Sequence, residues 1–287
     1  MIALELKREM PLVPTGFLCN VLSVPRASFY RGAAGAEPKG SELVAEIERI
    51  VLKNSGYGSR RVSQRLRKDG RPVSRKLVQR LMREHSLLCQ IKRHWVRTTD
   101  SVHGFTRQPN LARGFLTTGL NQLWVTDITY IRLPKGFCYL AVMLDAHSRK
   151  AVAWHMSMKI DARLALECLR KALEARTPPP GWIHHSDQGV QYACRGYTEA
   201  VLQAQGRPSM SSKGNPYDNA KAESFFATLK KEEVHQEEYH NFSQAQEAIG
   251  HYIDLNYNPQ RLHSRIGYCS PQEFEVDLLS KKEEAHA

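Results

Sequence analysis

The sequence has few cysteines and no long apolar run, and these absences exclude several classes of protein. The six cysteines stand at positions 19, 89, 138, 168, 194 and 269. They form no CxxC pair, and His184-His185 has no further ligands at zinc spacing, which argues against a zinc module or a disulfide framework and indicates a reducing cytosol. The apolar runs, of which residues 140–144 are typical, are too short to span a membrane. The charged first ten residues make a poor signal peptide, and no internal repeat or sustained heptad pattern occurs.

Negative charge is scarce in the N-terminal third. Residues 1–113 hold 22 Lys and Arg against 9 Asp and Glu, whereas residues 114–287 hold 19 against 20. The whole formal net charge of +12 therefore belongs to the first segment. A solvated surface rarely needs so one-sided a balance, so nucleic acid is the expected partner, and an acidic membrane surface is second.

Residues 41–100 have the periodicity of three helices. Apolar side chains recur at helical spacing in three segments, 43–52, 60–68 and 75–85. The expected N-caps are Ser41, Ser59 and Ser74. The later two helices and their tight turn match a helix-turn-helix with the third helix in the recognition position. Its candidate contacts to phosphates and base edges are Arg75, Lys76, Gln79, Arg80 and Arg83. The alternative is a solvated basic face.

The segments that flank these helices are less regular. Within residues 1–40, a short helical pattern resembles half of a helix-turn-helix, or equally a simple helical hairpin, and a linker follows it. Cations continue through residues 92–97 around Trp95, a mixture that suits DNA backbone tracking, although an aromatic there can also anchor a linker. Irregular sequence at 101–113 predicts the interdomain connection. Residues 278–287 form a charged tail.

Residues 114–277 predict an α/β domain. The segment LWVTDITYIRL alternates with a period of two, and FCYLAVMLDAHSRKAVAWHMS adds two strands around a turn. The later predicted elements are a helix at 161–175, a strand at 182–185, a helix at 197–205 and a strand at 208–211. Three antiparallel strands followed by alternating helices and strands indicate a mixed sheet with helices on both faces.

A turn-rich stretch, GNPYDNAKAESFFATLK at 214–230, leads into a further helix. Its apolar positions fall on one helical face, and Glu223 falls beside that stripe. Asn219 precedes Glu223 by one turn, and Lys230 follows it by two turns. The stretch is equally well explained as an ordinary amphipathic surface helix.

Three carboxylates stand out in this domain. Asp127 lies inside an apolar strand, where an unpaired charge is costly. Asp187 follows the fourth strand, where ligand sites of α/β sheets tend to lie, and Glu223 lies on the late helix. Hard oxygen donors of this kind suit Mg²⁺ or Mn²⁺, and two such ions about 3.5–4 Å apart can activate a hydroxyl and stabilise a leaving oxygen. Each acid alone is as well explained by capping or ion pairing, and only the fold can bring the three together.

Three motifs carry a resemblance to a known family. They are WVTDITY, HSDQGVQY and NPYDNAKAESFFATLK, and they resemble the DDE transposases of bacterial insertion sequences. More narrowly, the chain resembles the second-reading-frame protein of the insertion-sequence-three family, which is related to retroviral integrases. The interval from Asp187 to Glu223, the place of Lys230, and the segments YNPQRLHSRIGYCSPQEF and SGYGSRRVSQRLRKDG agree with it. The match extends over about residues 15–275 and implies a ribonuclease-H-like catalytic core at about 114–277.

The resemblance also implies a role for each matching residue. Asp127, Asp187 and Glu223 become the metal-binding catalytic triad, with two Mg²⁺ or Mn²⁺ ions, and Lys230 becomes a contact to the transposon end. Structural supports or DNA contacts are expected at Trp124, Gln188, Asn215, Tyr217 and Asn219, of which Asn219 is assigned to DNA. A structural or packing role is expected for Asp145, His184 and His185. The place of Asp218 in the turn favours a helix-capping role.

The expected function is therefore metal-dependent 3′-end cleavage and strand transfer of an insertion sequence. The expected partners are the terminal repeats of the element and the target DNA. The chain is expected to form a homo-oligomer in the synaptic complex and to be fused, in some products, to an upstream-frame protein. The expected location is the bacterial cytoplasm, with no membrane partner. Two rival functions remain. One is a nuclease or resolvase of the same fold that does not join strands, and the other is a non-catalytic DNA-binding relic with a regulatory role.

Overall fold

The computed structural model of the protein describes residues 39–89, 108–212 and 219–284, together with positions 13, 15, 16, 21 and 22. The chain divides into two compact units, Met1–Leu88 and Cys89–Ala287. Several predicted features lie outside the described residues, namely most of the N-terminal helical segment, the basic run at 92–97, Asn215, Tyr217 and Asp218. The domain boundaries predicted above stay predictions.

Three helices in the first unit confirm the predicted helical periodicity. They are α1 (Lys39–Lys53), α2 (Ser59–Lys68) and α3 (Arg75–Glu84). The cap of α3 is confirmed, because the Ser74 side chain accepts a hydrogen bond from the Leu77 amide at 3.3 Å. The other two cap predictions are wrong. Ser41 lies inside α1, which begins at Lys39, and Ser59 is the first residue of α2, whose N-cap is Gly58.

The three helices share one small core, and a side-chain bond fastens the turn between α2 and α3. Ile47, Leu66 and Val78, one from each helix, are fully or almost fully buried. The Ser63 hydroxyl of α2 donates to the carbonyl of Val73, just before α3, at 2.9 Å. Because the apolar residues of α3 face this core, its polar side chains face the solvent.

The second unit is built on a mixed five-stranded sheet. Its strands are β1 (Leu123–Leu133), β2 (Gly136–Asp145), β3 (Ala151–Ser157), β4 (Ile183–Ser186) and β5 (Arg207–Met210). Their order across the sheet is β3-β2-β1-β4-β5. The first three strands pair antiparallel, and β4 and β5 run parallel to β1. The predicted mixed sheet is confirmed, and the long first strand lies at its centre.

Helices cover both faces of the sheet, as predicted. They are α4 (Ala162–Ala175), α5 (Val190–Ala193), α6 (Arg195–Gln203), α7 (Ala220–Leu229), α8 (Phe242–His251) and α9 (Pro271–Glu284). One core lies between the sheet and helices α4 to α6, and the other between the sheet, α7 and α8. Two π-helical segments, π1 (Lys230–Val234) and π2 (Tyr252–Tyr257), and a 3₁₀ turn (Ser264–Ile266) complete the unit.

Candidate active site

The pairing of β1 with β4 brings two of the predicted acids side by side. Val125 of β1 is the parallel partner of His185 in β4. Two residues further along each strand, the same register sets Asp127 opposite Asp187, the first residue beyond β4. Because neighbouring strands lie about 4.8 Å apart, the two backbones are adjacent although 60 residues separate them in sequence.

Both side chains point to the face of the sheet that α7 covers. Side chains two residues apart along a strand share a face. Val125 and Ile183 both belong to the core between the sheet and α7, so Asp127 and Asp187 project to that side. Buried residues of α7 pack into the same core, and they are Ala222, Phe225, Phe226 and Leu229. Glu223 is exposed beside this apolar stripe, and its charge acts on Asp127.

Mutual repulsion and burial change the acidity of Asp127. Burial, first, and the negative charges of Asp187 and Glu223 together raise the pKa of its carboxyl to about 8. The Ile128 amide and the Lys230 ammonium oppose the shift. Asp187 and Glu223 therefore lie close enough to Asp127 for their charges to disfavour its ionisation, and a bound cation would relieve that repulsion.

Backbone amides orient the two aspartates. The Ile128 amide donates to Asp127 Oδ1 at 2.8 Å, and the Gly189 amide donates to Asp187 Oδ1 at 2.9 Å. A Cβ at position 189 would lie 2.9 Å from that same Oδ1, so only glycine fits there without displacing the carboxylate. In this arrangement of the described side chains, no three His, Cys, Asp or Glu converge tightly enough to hold a metal ion. The donor set itself fits a hard divalent ion, because it consists of carboxylate oxygens.

Lys230 supplies a positive charge at the far end of α7. Its Nζ lies 4.6 Å from the centroid of the Tyr130 ring, an arrangement in which the ring attracts the cation. Burial lowers the pKa of the ammonium group, and the Asp127 carboxylate opposes that shift. Sequence patterns did not single out Tyr130. It follows Asp127 by three residues in β1, and strand alternation would place the two side chains on opposite faces, so no local signal could have found it.

Asn219 is the N-cap residue of α7. The sequence predicts a capping role for Asp218, one residue earlier. Its backbone carbonyl accepts from the Glu223 amide at 3.1 Å, but its side chain makes no capping bond. The side chain is buried, and within the described part of the chain its Oδ1 has no hydrogen-bond partner. Its assignment to DNA stays a prediction.

The remaining motif residues in this unit have packing contacts. The Asp145 carboxylate accepts from the amides of His147 and Ser148 at 2.8 and 3.0 Å, which closes the turn after β2, and from the amide of Asn121, before β1, at 2.6 Å. His184 Nε2 lies 2.8 Å from the Tyr197 hydroxyl, and burial lowers the pKa of this imidazole to about 3.

Three further motif side chains are fixed in the same manner. His185 Nδ1 lies 2.8 Å from Ser209 Oγ. The Trp124 ring packs 4.7 Å from that of Trp182, and Gln188 Nε2 donates to the Ser211 carbonyl at 2.9 Å. These contacts agree with the structural roles proposed for the residues.

In the first unit, α3 presents its basic side chains to solvent. Arg75, Lys76, Arg80 and Arg83 are exposed and Gln79 is half-buried. Arg80 lies 3.7 Å from Glu84, a surface pair of little energetic weight. The face is thus available for a ligand, while the apolar side of the helix is committed to the core.

Across the ranges that the structure describes, no helix combines the length and apolar character that crossing a membrane requires.

Comparison with protein families finds three matching segments. Residues 118–216 and 205–271 each match an integrase core domain, and residues 40–95 match an HTH-like domain. The first two segments include the strands and helix that carry the three acids, and the third covers α1, except its first residue, through α3.

Curated relatives match along nearly their whole length. An uncharacterized 31 kDa protein of insertion element IS600 from Shigella sonnei is 37% identical over 264 residues, which cover 90% of this chain and 97% of the relative. The transposase InsF for insertion sequence IS3A from Escherichia coli K12 is 34% identical over 271 residues, covering 92% and 94%. Among solved structures, a chain of the simian T-cell lymphotropic virus intasome in complex with PP2A regulatory subunit B56 gamma has a TM-score of 0.47 at 16% identity, covering 74% of this chain and 70% of that chain.

Proposed function

The chain belongs to the integrase-core transposases of bacterial insertion sequences, in the insertion-sequence-three family, and from this premise we propose that it cleaves the 3′ ends of its element and joins them to target DNA. The observation that supports this chemistry best is the gathering of Asp127, Asp187 and Glu223 on one face of the sheet, where burial and mutual repulsion raise the pKa of Asp127 to about 8. We call Asp127, Asp187 and Glu223 together the acid group. Holding such carboxylates near one another destabilises the fold, and binding of cations would offset that cost.

The three carboxylates would hold Mg²⁺ or Mn²⁺, with two ions as the expected number. When bound, such ions activate the attacking oxygen and stabilise charge on the leaving oxygen of a phosphodiester. Metal binding would favour the ionised form of Asp127, because a cation offsets the repulsion that raises its pKa. The Gly189 amide holds Asp187 in place, and the rigid helix α7 holds Glu223.

The reaction is two in-line displacements at phosphorus. In the first, a water oxygen bonds to phosphorus, and the bond from phosphorus to the 3′ oxygen at the element end breaks, which leaves a 3′ hydroxyl. In the second, this hydroxyl oxygen bonds to a target phosphorus while a target 3′ oxygen leaves with the proton. One phosphorus–oxygen bond replaces another in each step, so neither step needs an energy-rich cofactor.

DNA contacts are proposed in both units. Lys230, held over the Tyr130 ring, would contact a phosphate near the element end, with Asn219 close to the start of the same helix. On α3, the exposed cations would neutralise phosphates and Gln79 would read a base edge. Synapsis of two ends requires at least two copies of the chain, and fusion to an upstream-frame protein would add a further DNA-binding segment.

A cleavage and joining assay tests the proposal. A labelled duplex carrying the element's own terminal repeat is incubated with the protein and Mg²⁺ or Mn²⁺, with Glu223→Gln as the control. We expect a nick at the 3′ end and joined products, both lost in the control. Cleavage without joining would instead identify a nuclease. If neither this chain nor its fusion with the upstream-frame protein cleaves the duplex, and binding needs no metal, the protein would be a DNA-binding relic.

A further inference from the structure

A buried ion pair lies next to the proposed site without belonging to it. Arg261 Nε and Nη2 donate to the two carboxylate oxygens of Glu232, each at 2.8 Å, and the side chains are only 3% and 6% exposed. The Tyr252 hydroxyl donates to Glu232 Oε2 at 2.7 Å, and the guanidinium carbon of Arg261 lies 5.9 Å from the centroid of the Tyr257 ring. Buried pairs of this kind are often no more stabilising than apolar residues of similar volume, so stability alone gives little reason for this one.

The hydrogen bond from Tyr252 to Glu232 connects the two π-helical segments in the described part of the chain, and Arg261 follows the second of them. Glu232 lies within π1, and Tyr252 and Tyr257 are the ends of π2. Each segment contains a bond between residues five apart: the His235 amide donates to the Lys230 carbonyl at 2.8 Å, and the Asn258 amide donates to the Ile253 carbonyl at 3.0 Å. Such turns are rare and occur frequently at functional sites.

Lys230 is the first residue of π1, and its carbonyl closes the wide turn that contains Glu232. Because the turn is a single hydrogen-bonded unit, fixing Glu232 against Arg261 also fixes the direction in which Lys230 leaves the end of α7. That direction places the Lys230 ammonium over Tyr130 and within electrostatic reach of Asp127.

We propose that Glu232 and Arg261 are positioning residues, whose buried pair holds π1 in the geometry that keeps Lys230 beside the acid group. The functional part of this inference rests on the proposed function, since Lys230 matters there as a contact to the transposon end. The geometric part, that the pair determines where Lys230 lies, does not depend on it.

A second pair in the same unit provides a matched control. Arg176 Nη2 donates to both oxygens of Glu275 at 2.8 and 2.6 Å, and these side chains are 14% and 9% exposed. The other partners of Glu275 are Ser148 and Lys150, in the turn that follows β2. Glu232→Gln and Glu275→Gln therefore remove one charge from similar pairs, and only the first pair contacts π1.

The geometric part is tested by nuclear magnetic resonance of the full chain with ¹³C-dimethylated lysines. The Tyr130 ring shifts the methyl signal of a lysine held above it, and Lys230→Arg identifies that signal by its loss. We expect Glu232→Gln, and likewise Arg261→Lys, which keeps the charge but loses the two-pronged contact, to move the Lys230 signal toward that of an exposed lysine, while Glu275→Gln leaves it in place. An unmoved signal in folded Glu232→Gln, or an equal movement in Glu275→Gln, would overturn the inference.

The functional part is tested by a double-mutant cycle on binding and cleavage of the terminal-repeat duplex. Glu232→Gln and Lys230→Ala should each weaken end binding by about tenfold, the change that about 1.4 kcal/mol produces. The double variant should be no worse than Lys230→Ala alone. Multiplying effects would show that Glu232 acts by another route and would contradict the inference. A wild-type chain that never cleaves would count against the proposed function, and the resonance experiment would still decide whether the pair positions Lys230.

Discussion

The two units hold their candidate functional side chains under opposite conditions. On α3 the basic residues are exposed to water on one side of a helix whose other side is buried. In the sheet unit, Asp127 and Asp187 are half-buried, and the pKa of Asp127 is raised by burial and by its acidic neighbours. A solvated cation costs the fold little, whereas gathered carboxylates must be held together by a sheet and a helix. Under the proposed function, α3 would serve DNA affinity, and Asp127, Asp187 and Glu223 would serve the chemistry.

The largest expected effect separates chemistry from binding. Asp187→Asn should reduce metal-dependent cleavage by about a thousandfold or more, because a lost ligand removes several kcal/mol of transition-state stabilisation. Binding of the terminal-repeat duplex should stay within about twofold, since α3 is unchanged. Single-turnover cleavage rates and binding titrations measure the two quantities. Cleavage by Asp187→Asn at the wild-type rate would show that this carboxylate is not needed for the chemistry.

Gly189→Ala should give the next largest effect. The added Cβ would meet Asp187 Oδ1 at 2.9 Å and displace the carboxylate, so cleavage should fall about tenfold to a hundredfold with binding unchanged. Gly196→Ala is the matched control, because a Cβ there has no described atom within 4 Å. Equal cleavage rates in the two variants would show that the position of Asp187 is not critical.

Substitutions on α3 should have the reverse signature. Arg83→Ala should weaken duplex binding by about threefold to tenfold and lower the slope of log affinity against log salt by about one. Cleavage at saturating DNA should not change. Arg195→Ala, which removes an exposed helical arginine of the sheet unit, is the control. If both variants weakened binding equally, α3 would not be the main DNA-binding surface.

The smallest expected effect is on stability in the absence of metal. The pKa of Asp127 is about 8 in the fold against 3.8 ordinarily. Between these values the folded state keeps a proton that the unfolded chain has released, so the free energy of unfolding falls as pH rises from about 4 to about 8.

Asp127→Asn lacks this loss. In chelator, its stability advantage over the wild type should grow by roughly 1 kcal/mol from pH 6 to pH 7, as denaturant melts at the two pH values would measure. If the stability difference between Asp127→Asn and the wild type were the same at both pH values, the pKa of Asp127 would not be raised in the folded protein.

Local pattern predicted much of this molecule. The β-branched and aromatic residues of β1 and the apolar spacing of α2 and α3 led directly to the observed elements. The two helices bury one side, whereas β1 is the central strand and is buried on both faces. The motifs pointed to Asp127, Asp187 and Glu223, but their proximity depends on β4 pairing beside β1, which no local pattern contains.

The segment after residue 230 gave weaker signals. The helices α8 and α9, after residue 230, were not predicted, and neither were the two π turns of this region, which depart from the helical period. The pairing of Glu232 with Arg261 spans 29 residues and has no periodic signature. The sequence did not indicate that Tyr130 contacts Lys230, because tyrosine is common in β-strands and its presence there gives no functional signal.

The most direct test of the acid group is the binding of Mn²⁺, measured by electron paramagnetic resonance on the wild type and on Asp127→Asn, Asp187→Asn and Glu223→Gln, with Glu275→Gln as the control. If the three carboxylates form one metal site, each of the first three substitutions should weaken binding by about tenfold or more, and the control should bind as the wild type does. Equal Mn²⁺ affinity in all five proteins would contradict the assignment of these residues to a shared site.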